Sequence, residues 1–213
     1  MRPKLIVFDL DGTLLDTSPG IFATARYTME RLGLDPDVPQ QQMRKFIGPP
    51  ISECFKVVYD LPQRYLADAL SIYKERYKSE GQYQALVYPH MADVLDALHG
   101  REYLLAVGTL KNESTAKNMM THYGLASFFA VVRGDVSTPS GGRTKAEILR
   151  TVMRDTNMKP EWSVLVGDTE HDRNGANEAN VGFVAVTYGF GFPHDASLPM
   201  SVSSPLELLT LFP

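Results

Sequence analysis

The sequence predicts an α/β protein in which a mostly parallel sheet carries helices on both faces and a helical insertion follows the first strand. Three observations predict it. Short apolar runs rich in β-branched residues recur along the chain, amphipathic helical patterns separate them, and one long stretch breaks the alternation.

Lys4 to Leu10 (KLIVFDL) is a nearly continuous apolar run of the kind that forms a strand buried on both faces. Comparable runs lie at Tyr103 to Val107, Phe128 to Val132, Val164 to Val166 and Val181 to Val186. Helical patterns fall between them at Val94 to Leu98, Ser114 to His122, Ala146 to Arg154 and Asn174 to Asn180. Such an alternation places ligands at the carboxyl ends of the strands. From Ser18 to about Tyr88 no convincing strand is visible. Amphipathic spacings such as Ile21, Ala25, Met29, Leu32 and Leu66, Leu70, Tyr73, Tyr77 predict helices there, punctuated by Gly33, Pro36, Pro39, Gly48, Pro49, Pro50 and Pro62. The expected division is therefore a core of residues 1–17 and 89–213 with a helical domain at 18–88.

Composition bounds the partners. The 213 residues can bury a sizeable core, and 44% hydrophobic with 22% charged residues describes an ordinary globular chain. A formal net charge of −4 without a basic cluster argues against a polynucleotide surface. Small molecules are the expected partners, and oligomeric state cannot be read. The single cysteine, Cys54, lies in a helical stretch without an adjacent base and reads as packing. No apolar run approaches the ~20 residues of a membrane span, and the N-terminus lacks signal-peptide order, so a cytoplasmic location is expected.

The strongest chemical signal is Asp9-Leu10-Asp11-Gly12-Thr13-Leu14, which closes the first apolar run. Two acids two residues apart can project to one side of a strand end, and their mutual repulsion calls for a proton or a hard cation such as Mg2+. Gly12 lets the chain turn away. Val164-Leu165-Val166-Gly167-Asp168 repeats the pattern of a strand ending in an acid, followed by Glu170, His171 and Asp172. Glu170 and His171 read as helix-start residues that favour the dipole. Thr109 is expected after a strand and before a helix whose free N–H groups can receive an anion. Lys145 opens a helix after the loop Ser140-Gly141-Gly142-Arg143-Thr144 and can neutralise a phosphate oxygen.

Taken in this order, the four segments resemble the haloacid-dehalogenase-like phosphohydrolase superfamily across essentially the whole chain. Asp9-x-Asp11-Gly12-Thr13 matches its first motif, Thr109 its second, Lys145 its third, and Gly167-Asp168-x-x-x-Asp172 its fourth. The resemblance implies a Rossmann-like core with a C1-type helical cap after the first strand. Ile47-Gly48-Pro49-Pro50 resembles the phosphoglycolate-phosphatase-like branch. It also implies Asp9 as nucleophile, Asp11 as general acid and base, and Thr109 and Lys145 as phosphate holders. Mg2+ would be held by the side chains of Asp9 and Asp168 and the Asp11 backbone carbonyl, with Asp172 acting through water or as an orienter. Gly12, Thr13, Leu110, Gly48 and Pro49 would contact substrate, the cap selecting the leaving group.

Leu110 stands where many relatives carry Asn, and Ala146 where several carry Pro; neither change removes a reacting group. The intact pair Asp9 and Asp11 favours phosphate esters over a dehalogenase. A sugar phosphomutase remains an alternative, and a phospho-aspartate receiver domain is a weaker one, since it lacks an insertion of this size. Phosphoglycolate-like acids and nucleoside 5'-monophosphates are the two substrate classes in view. Trp162 and Tyr73, Tyr77 and Tyr83 read as packing or surface, and five scattered histidines do not make a zinc site. Tyr188-Gly189-Phe190-Gly191-Phe192-Pro193 fits a turn as well as a substrate contact.

Overall fold

The computed structural model describes residues 3–48, 51–136, 142–194 and 198–213. The chain divides into two compact units, one of Met1–Asp16 with Val87–Pro213 and one of Thr17–Leu86. The first holds a six-stranded sheet of β1 (Leu5–Phe8), β4 (Leu104–Asn112), β5 (Val131–Asp135), β6 (Ser163–Gly167), β7 (Gly182–Val186) and β8 (Ser201–Val202). Two short strands, β2 (Leu15–Asp16) and β3 (Leu86–Val87), pair where the chain passes between the units.

The strand order is β5-β4-β1-β6-β7-β8, and each neighbouring pair runs parallel. β1 is central, and the chain crosses it after β5 to build outward on the other side. The carboxyl ends of β4, β1 and β6 thus flank the point where the order reverses, the crevice that open α/β sheets use for ligands. All four residues of β1 are buried, because both faces are covered. Leu5 and Val7 pack with Leu149, Val152, Leu165 and Ala176 on one face. Phe8 turns to the other face and meets Phe129 edge to face at 6.2 Å between ring centroids, the period of two expected of a strand.

Helices α1 (Ser18–Arg31), α2 (Gln40–Met43), α3 (Ile51–Tyr59) and α4 (Leu66–Ser79) form the second unit. Its core gathers Ile21, Phe22, Ala25 and Met29 of α1 with Phe46, Phe55 and Tyr73. Phe55 sits edge-on to Phe46 at 5.2 Å and to Tyr73 at 5.9 Å. Cys54 is buried in this core. The first unit adds α5 (Met91–Gly100), α6 (Glu113–His122), α7 (Lys145–Asp155), α8 (Glu170–Ala179) and α9 (Leu208–Leu211).

Three elements differ from the sequence reading. The run Phe128 to Val132 is not a strand throughout: Ala126–Phe128 is a 3-10 turn, and β5 extends from Val131 to the polar Arg133, Gly134 and Asp135. Phe129 there marks packing against Phe8 rather than strand pairing. Leu86–Val87, inside the stretch read as purely helical, is a strand. Two residues are too few to show a period. Finally β4 does not stop at Val107 but continues to Asn112, with a shift in its register against β5 between Gly108 and Asn112. Gly108 and Thr109 in this extension are still buried, and the extension reaches solvent only from Leu110 onward.

Candidate active site

Asp9 leaves β1 with its backbone N–H donating to Val166 O at 2.9 Å, which ties the ends of β1 and β6 together. Its side chain is buried, and Oδ1 accepts from Lys145 Nζ at 2.7 Å. Lys145 is fixed by its helix start: Thr144 caps α7, its hydroxyl accepting from the Glu147 N–H while the Glu147 carboxylate accepts from the Thr144 N–H. The ammonium group also meets Asp172 Oδ1 at 2.7 Å and donates to Gly108 O at 2.9 Å, so its three donors all have partners. Burial works against the charge of Lys145, but Asp172 and Asp9 outweigh it and raise its pKa.

Asp172 does two jobs. Its Oδ2 accepts from the Thr169 N–H and hydroxyl at 3.1 and 2.6 Å, completing the capping box of α8, while Oδ1 holds Lys145. Glu170, in the same first turn, pairs with Arg173 at 2.6 Å. Asp168 is different. It is fully buried, Oδ2 accepts from the Phe190 N–H at 2.8 Å, and Oδ1 has no hydrogen-bond partner among the described residues. Among the described residues no basic side chain pairs with it.

Asp9, Asp168 and Asp172 each offer a carboxylate oxygen within 4.8 Å of the others. Burial, then the neighbouring Asp9 and Asp172, pushes the Asp168 carboxyl up to about 8. Burial also raises Asp9, with Asp172 adding to the effect and Lys145 opposing it. Protein charges alone thus leave this cluster short of a cation. An orphaned buried oxygen among hard carboxylate donors fits a divalent ion such as Mg2+.

Asp11 is more exposed. Lys111 Nζ contacts both of its oxygens, at 2.9 and 3.1 Å. Gly12 takes φ +80°, a conformation that costs a residue with a Cβ, and its N–H donates to Leu15 O at 2.8 Å. Thr13 is fully buried and its hydroxyl has no hydrogen-bond partner among the described residues. Thr109 is buried inside β4 rather than after it, and its hydroxyl accepts from the Lys111 N–H at 3.2 Å. The following helix, α6, begins only at Glu113, and Asn112 accepts from the N–H groups of Ser114 and Thr115. The sequence reading expected Thr109 to follow a strand and precede a helix with free N–H groups; the strand instead runs through Thr109 to Asn112, and the Asn112 side chain takes two of the first N–H groups of α6. Leu110 is partly exposed. Gly48 belongs to the helical unit, with φ +105°, and Pro49 lies outside the described residues.

Two parts of the site escaped the sequence reading. One is Lys111, whose role depends on the β1–β4 register that sets Phe8 beside Val107. The other is the use made of Gly189 to Phe192, which wraps Asp168 with backbone donors from Phe190 and Phe192. Its glycines were visible; its target was not.

The family model for haloacid dehalogenase-like hydrolases matches residues 6–186. The chain belongs to this family. A 5'-nucleotidase from Pseudomonas aeruginosa is 35% identical over 90% of this chain and 86% of its own length. A phosphoglycolate phosphatase from Vibrio vulnificus is 30% identical over 97% of this chain and 94% of its own. Among solved structures, a haloacid dehalogenase-like hydrolase from Streptococcus pneumoniae superposes with a TM-score of 0.88 at 33% identity, covering 99% of both chains. As a member of this hydrolase family the chain is an enzyme, and its sheet carries the family's α/β fold. Among the described residues no helix is long and apolar enough to cross a membrane.

Proposed function

We propose that this hydrolase is a magnesium-dependent phosphatase that cleaves small phosphate monoesters through a phospho-aspartate on Asp9. The observation that carries the reading is the unbalanced acid cluster. Asp9 and Asp172 share Lys145, while Asp168 is buried without a cation and with one oxygen unpartnered. A site of this kind suits a divalent ion and a phosphoryl group together.

Asp9, Asp168 and Asp172 would hold Mg2+, with the Asp11 backbone carbonyl. When bound, the ion neutralises the repulsion between a carboxylate nucleophile and an anionic phosphoryl group. A carboxylate oxygen of Asp9 attacks phosphorus, and the bond from phosphorus to the ester oxygen breaks. Asp11 gives its proton to that leaving oxygen. It then takes a proton from a water whose oxygen attacks the phosphorus. The bond to Asp9 breaks, inorganic phosphate leaves, and both acids return to their starting states. Thr109 and Lys145 hold non-bridging oxygens, so positioning and charge stabilisation lower the barrier. Lys145 is already held at Asp9 before substrate arrives, which limits reorganisation during the reaction.

The strand-end groups are committed to phosphate and metal. Choice of leaving group therefore falls to the helical unit, in which Gly48 and Pro49 are the proposed contacts. Compact substrates follow, with phosphoglycolate-like acids and nucleoside 5'-monophosphates first; the names of the two curated relatives support both. Mg2+ and a small phosphate ester are the proposed partners, and the proposed setting is the cytoplasm.

The test is a screen of small phosphate monoesters with and without Mg2+, with an acid quench during turnover. Release of phosphate, together with a hydroxylamine-labile phosphoryl label that is missing in Asp9→Asn, is the expected result. Absence of hydrolysis across the screen, or an undiminished label in Asp9→Asn, overturns the reading.

A further inference from the structure

The Tyr188 to Phe192 segment touches both acid-bearing strand ends at once. The Phe190 N–H donates to Asp168 Oδ2 at 2.8 Å, and the Phe192 N–H donates to the Asp168 backbone carbonyl at 3.0 Å. The Tyr188 hydroxyl donates to the Thr13 carbonyl at 3.1 Å. The segment is anchored from behind, where the Thr187 N–H donates to Val202 O at 2.9 Å. Its glycines are dictated by the fit. A Cβ on Gly189 would strike the Gly12 carbonyl and come within 2.5 Å of Asp168 Cβ. A Cβ on Gly191 would come within 2.5 Å of the Asp168 carbonyl. The backbone of this segment thus lies flush against Gly12 and Asp168 with no room for a side chain.

We propose that Tyr188 to Phe192 is a positioning element for the metal site, a backbone clasp that binds one oxygen of Asp168 and leaves the other for the cation. A free carboxylate rotates about its side-chain torsions, and a cation that must capture it first pays for that freedom. The Phe190 N–H removes it in advance. It occupies Oδ2, so Oδ1 is the oxygen left without a protein partner. The hydrogen bond from Tyr188 to Thr13 sets the segment against the loop that carries Asp11 and Gly12. One short stretch therefore registers the end of β6 on the end of β1.

The clasp rests on the reading of Asp168 as a metal ligand, and calorimetry separates the two. The full chain, without substrate, is titrated with MgCl2 as wild type, Gly189→Ala, Tyr188→Phe and Gly182→Ala. In Gly182→Ala the added Cβ meets neighbours no closer than 3.5 Å, so it serves as the comparison. Loss of an outer partner of a metal ligand costs about 10- to 100-fold in affinity. Gly189→Ala is expected to raise the Mg2+ Kd at least about tenfold while its far-ultraviolet circular dichroism stays that of the wild type, with Gly182→Ala unchanged. A folded Gly189→Ala that binds Mg2+ as tightly as wild type overturns the clasp. If Gly189→Ala does not fold, Tyr188→Phe decides: a Kd raised about threefold or more supports the clasp, and an unchanged Kd overturns it. Absence of Mg2+ binding in the wild type itself overturns the metal reading, and the clasp with it.

Discussion

The two units bury polar groups of different kinds. In the sheet unit the buried set includes Asp9, Lys145, Asp168 and Asp172, all charged when ionised; in the helical unit it is Thr17, Thr24, Thr28 and Gln82, all neutral. Thr24 and Thr28 settle their hydroxyls locally, on the Gly20 and Thr24 carbonyls at 2.7 and 2.8 Å. Burying charge is costly unless it is paired, and packing alone does not require it. The sheet unit bears that cost around the ends of β1 and β6, where the proposed chemistry would use it. The helical unit is held by ordinary apolar and aromatic packing, with substrate selection proposed for its polar and loop residues.

The largest effect should come from the charged set. Asp9→Asn keeps side-chain volume but removes the proposed nucleophile, and kcat should fall on the order of 10⁴-fold or more. Steady-state hydrolysis of an aryl phosphate measures it, with thermal unfolding to show that the fold persists. Near-wild-type turnover would detach the buried charges from catalysis.

Removing the metal should come next. Chelation is expected to lower activity about 10³-fold, with Mg2+ restoring it and Ca2+ restoring little, because the looser shell of Ca2+ suits tight phosphoryl positioning less well. Full activity in metal-free buffer would mean that Asp168 is compensated some other way.

Cys54 tests the other side of the contrast. Burial pushes its thiol up to about 11, so the folded chain favours the neutral form. That contribution is fully present below about pH 8.5 and is lost as the pH rises toward 11. At pH 8 the thiolate population, and with it the alkylation rate by iodoacetamide, should be about 10²-fold lower in the native chain than in urea. Equal rates would show that the helical core is open to water.

What could be read in the sequence was whatever short-range pattern encodes. KLIVFDL specified a doubly buried strand, and acids at two strand ends specified where buried carboxylates would gather. Lys145 was legible because a helix start fixes its direction. Lys111 was not: its partner Asp11 lies 100 positions away, and only the β1–β4 register joins them. The setting of Thr109 was misread, since Gly108 to Asn112, by which β4 continues, form no apolar run that would mark a strand. Gly189 and Gly191 were visible as glycines, yet the close approach that demands them is a tertiary property.

The smallest effect, and the sharpest test of the contrast, belongs to Gly48. It sits at φ +105°, where a Cβ is strained, yet an added Cβ would meet nothing among the described residues within 4 Å. Gly48→Ala should therefore reshape the loop locally without disrupting the Phe46 and Phe55 core beside it in sequence. The groups proposed to handle phosphate all belong to the sheet unit. The expected outcome is a redistribution of kcat/KM among a phosphorylated small acid, a nucleoside monophosphate and a sugar phosphate. Changes of about 3- to 30-fold are expected, since local contacts to a leaving group are worth about 1–2 kcal/mol. An aryl phosphate, which offers the leaving-group contacts least to recognise, should change least. If all substrates fall by one common factor, Gly48 acts on stability or on the chemical step itself, and selection of the leaving group must be sought in the sheet unit, with the exposed Leu110 beside Thr109 as the first position to vary.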